Sequence, residues 1–326
     1  MNLKSKWASL ALMAFLGAMA TNAHSQTAYP KKPLKIVVPF GAGGVADLTA
    51  RTVAQKLGEN LGQSIVIENK PGAGGVVATD AVAKSAPDGY TLLLMSNATA
   101  VSAGLFKTLP YDAEKDLTPL SVLGTFDIAI VVPQESKFTT LQDLLKFAKA
   151  NPGKLNIGSI NVGSTQHLAA ELFKATAGID AQVVPFNGTP AVLTALRGGQ
   201  IDLAVEILAP VLPQIKGQAL RALAVTGTKR HPQVKDIPTL EEMGLKGFDA
   251  QQWYGVVGPA NMPAPIVKVL NDALLTVLAQ PDFKEKLSSE AVELMPMRPA
   301  EFAAYMKADL ARWTQLAKAR NIQLDS

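Results

Sequence analysis

A glycine-rich turn that occurs twice, GAGGV at Gly41 to Val45 and again at Gly72 to Val76, constrains this chain more than any other feature. Each copy leads from a strand-like run into a helical pattern. Its backbone N–H groups and the positive end of the following helix can therefore be aimed at an anion. Glycine also lets the backbone approach a ligand closely. Turns of this kind belong to chains in which strands feed helices, so the expected class is α/β.

The rest of the pattern agrees. Strand-like runs at 34–39, 64–68 and 91–95 alternate with helical patterns at 45–57 and 76–83. A second series follows, with strands at 128–132, 155–158, 182–185, 201–206 and 221–225 and helices at 141–150, 165–176, 190–196 and 211–216. This spacing predicts right-handed βαβ crossovers and parallel pairing. The last third offers one strand, 253–257, with long helices at 265–278 and 299–319. A lone strand after a complete series implies that the chain returns to finish its first domain. The expectation is two lobes, each a mainly parallel sheet flanked by helices, with crossings near Thr125 and Val225. Residues 26–125 plus 226–326 would form the first lobe and 126–225 the second.

The N-terminus carries Lys4 and Lys6, an apolar run from Ala8 to Ala20, and small residues at Ala23 and Ser25. A basic start, a short apolar core and an A-x-S site fit a cleaved secretory signal, and the run is too short to span a membrane. Cleavage is expected near Ser25/Gln26, giving a periplasmic protein. With no cysteine to carry a lipid, no lipid anchor is expected. The alternative is an uncleaved anchor.

Composition then excludes several classes. Removing Lys4 and Lys6 from 31 basic residues leaves 29 against 27 acids, a net charge of +2. No Lys/Arg cluster is interleaved with aromatics, so nucleic acid is not an expected partner. The histidines outside the signal are His167 and His231, and cysteine is absent, which argues against a Cys/His metal site and against thiol catalysis. No cofactor is expected. Without disulfides the fold must rest on its core, for which some 300 residues suffice.

In an open parallel sheet, ligands sit beyond the carboxyl ends of the strands. Five loops qualify: 39–44, 71–75, 96–99, 161–165 and 186–189, all small, polar or glycine. Three come early and two late, so facing lobes would line a cleft from both sides. Each loop taken alone is also compatible with a plain tight turn. A competing reading is a dinucleotide site, because Gly41 to Ala46 satisfies G-x-G-x-x-A and Glu68 ends the next strand where a ribose-binding acid would lie. That reading makes the chain an exported NAD-type oxidoreductase. No G-x-S-x-G elbow is present, and Ser164 and His167 lie one helical turn apart without an orienting acid, so hydrolysis is not expected.

As an ordered set, PFGAGGVAD at 39–47, ENKPGAGG at 68–75, PDGYT at 87–91, GSTQHL at 163–168, PFNGTPA at 185–191, GGQID at 198–202, LRALAV at 220–225 and WYGV at 253–256 resembles the Bug-type extracytoplasmic solute receptors. These are the receptors of tripartite tricarboxylate transporters, and the resemblance covers essentially the whole chain after the signal. It implies a Venus-flytrap periplasmic binding protein, not an enzyme, that clamps a small organic carboxylate through backbone amides and ordered water. Carried onto this chain, the ligand-binding residues implied are Phe40, Gly41, Ala42, Gly43 and Gly44 in the first lobe and Gly163, Ser164 and Thr165 in the second. Asn97 and Thr99 match the third-strand loop, and Asn187 with Gly188 the next loop of the second lobe.

Other residues are open to two readings. Asp47 either stabilises the first turn of its helix or shapes and contacts the site. Trp253 and Tyr254 either pack the returning strand or border the hinge. At Glu206 the family more commonly shows Asp, and the longer side chain either shrinks the cavity or accepts a ligand hydroxyl or amine. Mono-, di- and aromatic carboxylates rank first as ligands and neutral nicotinamide-like solutes second. Ligand bridging both lobes would shift the chain toward a closed form, read by membrane transporter subunits or by a sensor kinase. A monomer is expected.

Overall fold

In a computed structural model of the chain, residues 29–99, 102, 108–246, 248 and 250–319 are described; the expected signal, residues 1–25, lies outside them. Contacts separate Met1–Lys31 from Lys32–Ser326, and the second unit carries the elements that follow.

The chain opens with β1 (Leu34–Val38), α1 (Val45–Leu61), β2 (Ile65–Asn69), α2 (Val76–Ala83), β3 (Thr91–Ser96) and β4 (Leu117–Phe126). It passes through Asp127 into β5 (Ile128–Pro133), α3 (Leu141–Ala150), β6 (Leu155–Ile160), α4 (Thr165–Ala177), β7 (Ala181–Phe186), α5 (Thr189–Arg197), β8 (Leu203–Ile207), α6 (Leu208–Lys216) and β9 (Leu220–Val225). It returns in β10 (Gln252–Pro259), α7 (Ala264–Ala279), α8 (Pro281–Ser289), β11 (Glu293–Leu294) and α9 (Pro299–Ala319).

Two sheets result. One runs β11-β4-β10-β3-β1-β2 and the other β7-β6-β8-β5-β9. The returning strand β10 lies between β3 and β4, antiparallel to both, as a lone late strand completing the first sheet requires. Every residue of β10 is buried, and β3 is buried from Leu92 to Ser96, which is why both read as continuous apolar runs rather than alternating ones. At the edge, β2 leaves Val66 exposed.

The fold is the expected two-lobed α/β type, but its sheets are mixed rather than mainly parallel. Among the named strands, parallel pairing is confined to β2-β1-β3 and to β7-β6-β8. The strands β4, β10 and β11 in one sheet, and β5 and β9 in the other, pair antiparallel. The run 117–126 was not expected as a strand because Pro119 and Gly124 interrupt its apolar pattern; both residues deplete strands, yet here they pair opposite Val257 and beside β11. Helix α8 was missed because only Phe283 and Leu287 of its nine residues reach the core.

The connection from β9 to β10 stays with the second sheet for part of its length. Thr239 bridges Val225 in parallel, and Leu240 N–H donates to the Val225 carbonyl. In the first sheet, α9 is tied down by Trp253, whose ring meets Phe302 edge-on at 5.5 Å and Tyr305 at 5.8 Å. The indole Nε1–H donates to buried Asp309 at 2.8 Å, so the one polar atom of this large core side chain is satisfied. Trp253 therefore packs its strand.

Candidate functional site

Helix N-termini from both sheets meet at one place. Gly44 caps α1, Gly188 caps α5 and Ile207 caps α6, and none of the three offers a side-chain cap to its first turn, although in α6 the Leu208 N–H already donates to the Asp127 carbonyl and Pro190 of α5 and Pro210 of α6 have no N–H. Helix α4 joins them but is capped by Ser164, whose hydroxyl accepts from His167 N–H. A cavity of about 20 Å³ lies among these ends, lined by Gly44, Val45 and Ala46 of α1, Gly188 and Thr189 of α5, Gln166 of α4, Ile160, Asn161, Ile207, Phe40, Gly41 and Tyr254. That volume holds about one water. It shares Gly44, Val45 and Thr189 with an outer pocket of about 300 Å³ walled by Leu48, Pro190, Leu193 and Pro210 and carrying Arg197.

No Lys, Arg or His lines the inner cavity. What faces it instead are helix N-termini, the positive ends of helix dipoles. Among the described residues no cluster of His, Cys, Asp or Glu suits a metal ion.

The first glycine loop is held by its own helix. Gly43 N–H donates to Asp47 Oδ2 at 2.9 Å, and Arg51 Nε donates to both carboxylate oxygens at 3.0 and 3.1 Å. Arg51 Nη2 then reaches Asn69 Oδ1 at 3.3 Å, and Asn69 Nδ2 donates to the Phe40 carbonyl at 3.0 Å. Burial opposes the charge on Asp47, but Arg51, the Gly43 amide and Asn69 outweigh it and hold the carboxyl below its usual range. Asp47 therefore shapes the loop. It consumes the Gly43 amide, leaving Gly44 and the first turn of α1 to face the cavity.

The second glycine loop has a different place. A Cβ on Gly74 would stand 2.8–2.9 Å from the carbonyl oxygen, carbon and Cα of Gly163, so two glycine backbones from opposite sheets touch directly. Gly74 has φ 63°, a conformation side chains disfavour. Beside this contact, Thr165 Oγ1 donates to Asn97 Oδ1 at 2.8 Å, and Asn97 Nδ2 donates to the Gln251 carbonyl at 2.9 Å.

Of the residues singled out in the sequence, Phe40, Gly41, Gly44 and Gly188 line the inner cavity, and Gly43 and Gly44 line the outer pocket. Gly163, Thr165 and Asn97 are spent on contacts between the two sheets, and Ser164 on capping. Ala42 and Asn187 are exposed, and Thr99 is buried, outside both linings. Glu206 is fully buried behind the wall. Its Oε2 accepts from Thr189 Oγ1 at 3.1 Å, from Ile207 N–H at 3.3 Å and, at a long 3.5 Å, from Gln166 Nε2. Burial pushes its carboxyl up to about 7.

Sequence reading missed Gln166, Ile207 and the wall role of Tyr254. Tyr254 is buried, 4.9 Å edge-on to Phe126, and burial together with the nearby Glu206 charge pushes its phenol upward. An aromatic residue at the middle of a central strand gave no signal beyond packing. Glu68, the acid a dinucleotide site would need, is instead paired with Lys35 at 2.9 Å and Lys70 at 3.8 Å.

Known proteins share this fold. Residues 49–322 match the family described as "Tripartite tricarboxylate transporter family receptor". Protein BugT of Bordetella pertussis is 32% identical over 302 residues, covering 92% of this chain and 93% of that one. A solved R. palustris protein with adipate shares 33% identity at a TM-score of 0.86, over 90% of this chain and 99% of its own. MatC from Rhodopseudomonas palustris, with bound malate, shares 30% identity at a TM-score of 0.84, over 88% and 99%. Adipate and malate are both carboxylates. With two mixed sheets flanked by helices and this extent of likeness, the chain belongs to the Bug-type receptors of the tripartite tricarboxylate transporter family.

Proposed function

We propose that this chain is a periplasmic receptor that captures a small organic carboxylate in the cleft between two lobes and closes on it for delivery to membrane transporter subunits. The observation that carries the reading is the convergence of three helix N-termini without side-chain caps on one cavity that no basic side chain lines. A carboxylate there would take the Gly44 to Ala46 end of α1 and face the α5 and α6 ends, directly or through a bridging water. The outer pocket, in which Thr189, Thr194 and Arg197 stand among apolar side chains, would hold the rest of the ligand. The relatives found with adipate and malate support the carboxylate class.

One lobe would comprise the first sheet with its helices and the other the second, joined at Asp127 and where 250–252 leads into β10. The cavity as it stands takes little more than a water, so the lobes must part for an acid to enter. Export rests on the N-terminal signal pattern; among the described residues no helix is long and apolar enough to cross a membrane.

The test is a thermal-shift screen of Gln26 to Ser326 against mono-, di- and tricarboxylates, aromatic acids, nicotinamide-type solutes and NAD. One carboxylate class should raise the melting temperature by several degrees, because binding to the native state stabilises it by mass action, and the acid should be recovered unchanged. A shift with NAD alone would overturn the receptor reading.

A further inference from the structure

Behind the α5 wall of the cavity lies a group of polar side chains that carboxylate binding at α1 does not use. Glu206, Gln166 and Thr189 are all at least nine-tenths buried, and Gln166 and Thr189 also line the cavity. The hydrogen bonds among them have a direction. Thr189 gives its only proton to Glu206 Oε2, Gln166 turns its amide NH₂ toward the same oxygen, and the Ile207 amide is taken as well. What remains is mostly acceptors: Gln166 Oε1 and Glu206 Oε1 are buried with no hydrogen-bond partner and Thr189 Oγ1 keeps its lone pairs, against the second N–H of Gln166 as the one side-chain donor left. Buried acceptors left unpaired are costly, and an ionised one repels a second anion.

We infer that Glu206 sets the polarity of the distal subsite, turning Gln166 and Thr189 into acceptors, so that the preferred ligand is an acid whose far end carries N–H or O–H donors rather than a second carboxylate. This rests on the proposed carboxylate site at α1. Amides, amines and hydroxyls qualify as donors. The carboxylate at one end meets the amides of α1, and the donor at the other meets the acceptor wall. Without Glu206 the Thr189 hydroxyl and the Gln166 NH₂ are released to donate, and the same wall would accept an anion.

The experiment pairs isosteric acids that differ only at one end: succinate with succinamate, glutarate with glutaramate, adipate with adipamate. Affinities are measured by calorimetry at pH 8, above the value of about 7 to which burial pushes Glu206. In the unmodified chain the half-amide of the best-fitting length should bind at least tenfold more tightly than its dicarboxylate. Glu206→Gln, which keeps the volume and removes the charge, should bring the ratio to near one or reverse it. Thr189→Val, which removes one acceptor together with the hydroxyl that donates to Glu206 Oε2, should weaken the half-amide. A dicarboxylate that binds the unmodified chain as tightly as its half-amide would overturn the inference and leave the receptor reading intact. So would a preference that survives both substitutions. Binding of neither member at any length would overturn both together.

Discussion

Thr165 Oγ1 donates to Asn97 Oδ1 at 2.8 Å, linking the first turn of α4 to the end of β3 across the junction of the two sheets. Both side chains are fully buried, and Asn97 passes the connection on to the Gln251 carbonyl where the chain re-enters the first sheet. A contact of this kind exists only while the lobes are together. In the proposed opening and closing of the lobes, its energy would therefore belong to the closed state alone.

Thr165→Val keeps the shape of the side chain and strands the Asn97 oxygen. An unpaired buried acceptor costs about 1–3 kcal/mol, so closure weakens and ligand affinity should fall roughly tenfold. Calorimetry with the best carboxylate checks this. An unchanged Kd would mean that the bond contributes nothing to closure.

Gly74→Ala places a methyl group against the Gly163 backbone, at distances no real Cβ tolerates. The glycine loop of one sheet can then no longer meet the loop of the other. Small-angle scattering of the variant with saturating ligand should report the open radius of gyration. Compaction equal to that of the unmodified chain would show that the two loops part without cost.

Glu206 supplies a pH dependence whose sign is fixed. Its native value, about 7, lies above the 4.5 of an unperturbed glutamate, so between those values the folded chain holds more protons than the unfolded one. The stability linked to this group is complete below about pH 4.5, declines as pH rises and is lost above about pH 7. Glu206→Gln removes the decline. Denaturant titrations should show the variant gaining on the parent between pH 5 and pH 8, by at most about 3 kcal/mol. The same difference at both pH values would contradict a buried, proton-holding Glu206.

Trp253→Ala removes the ring between Phe302 and Tyr305 and leaves Asp309 without its indole donor. A loss of about 3–5 kcal/mol is expected in urea unfolding. A loss under about 1 kcal/mol would mean that α9 is held elsewhere.

Much of the fold was legible because its signals are local. Helix α3 begins where Thr140 and Asp143 cap each other, and α1 ends at Gly62 with φ 65°, so both elements are bounded by nearby chemistry. The run 117–126 was not, since a strand containing Pro119 and Gly124 is stabilised by β10 from far along the sequence. The direction of pairing escaped for the same reason: whether a strand runs parallel or antiparallel is decided by where the chain returns.

The site divides along the same line. Glycine loops announce that a backbone is to be approached, and both copies are approached, but they do not say by what. Gly44 faces the cavity, whereas Gly74 faces Gly163. Asp47 could be placed in its helix, yet its bond to the Gly43 amide depends on how the loop folds back. Gln166 and Tyr254 reach the cavity only because two sheets meet there, a distance relation that no local pattern encodes.

A carboxylate held between the lobes at the α1 end is tested most directly by titration calorimetry of Gln26 to Ser326, alone and as Gly74→Ala. Binding of one class of organic acid is expected near the micromolar level, about 8 kcal/mol, with at least a tenfold loss in the variant. Acid binding that is indifferent to Gly74→Ala, or no acid binding beside clear binding of NAD, would contradict it.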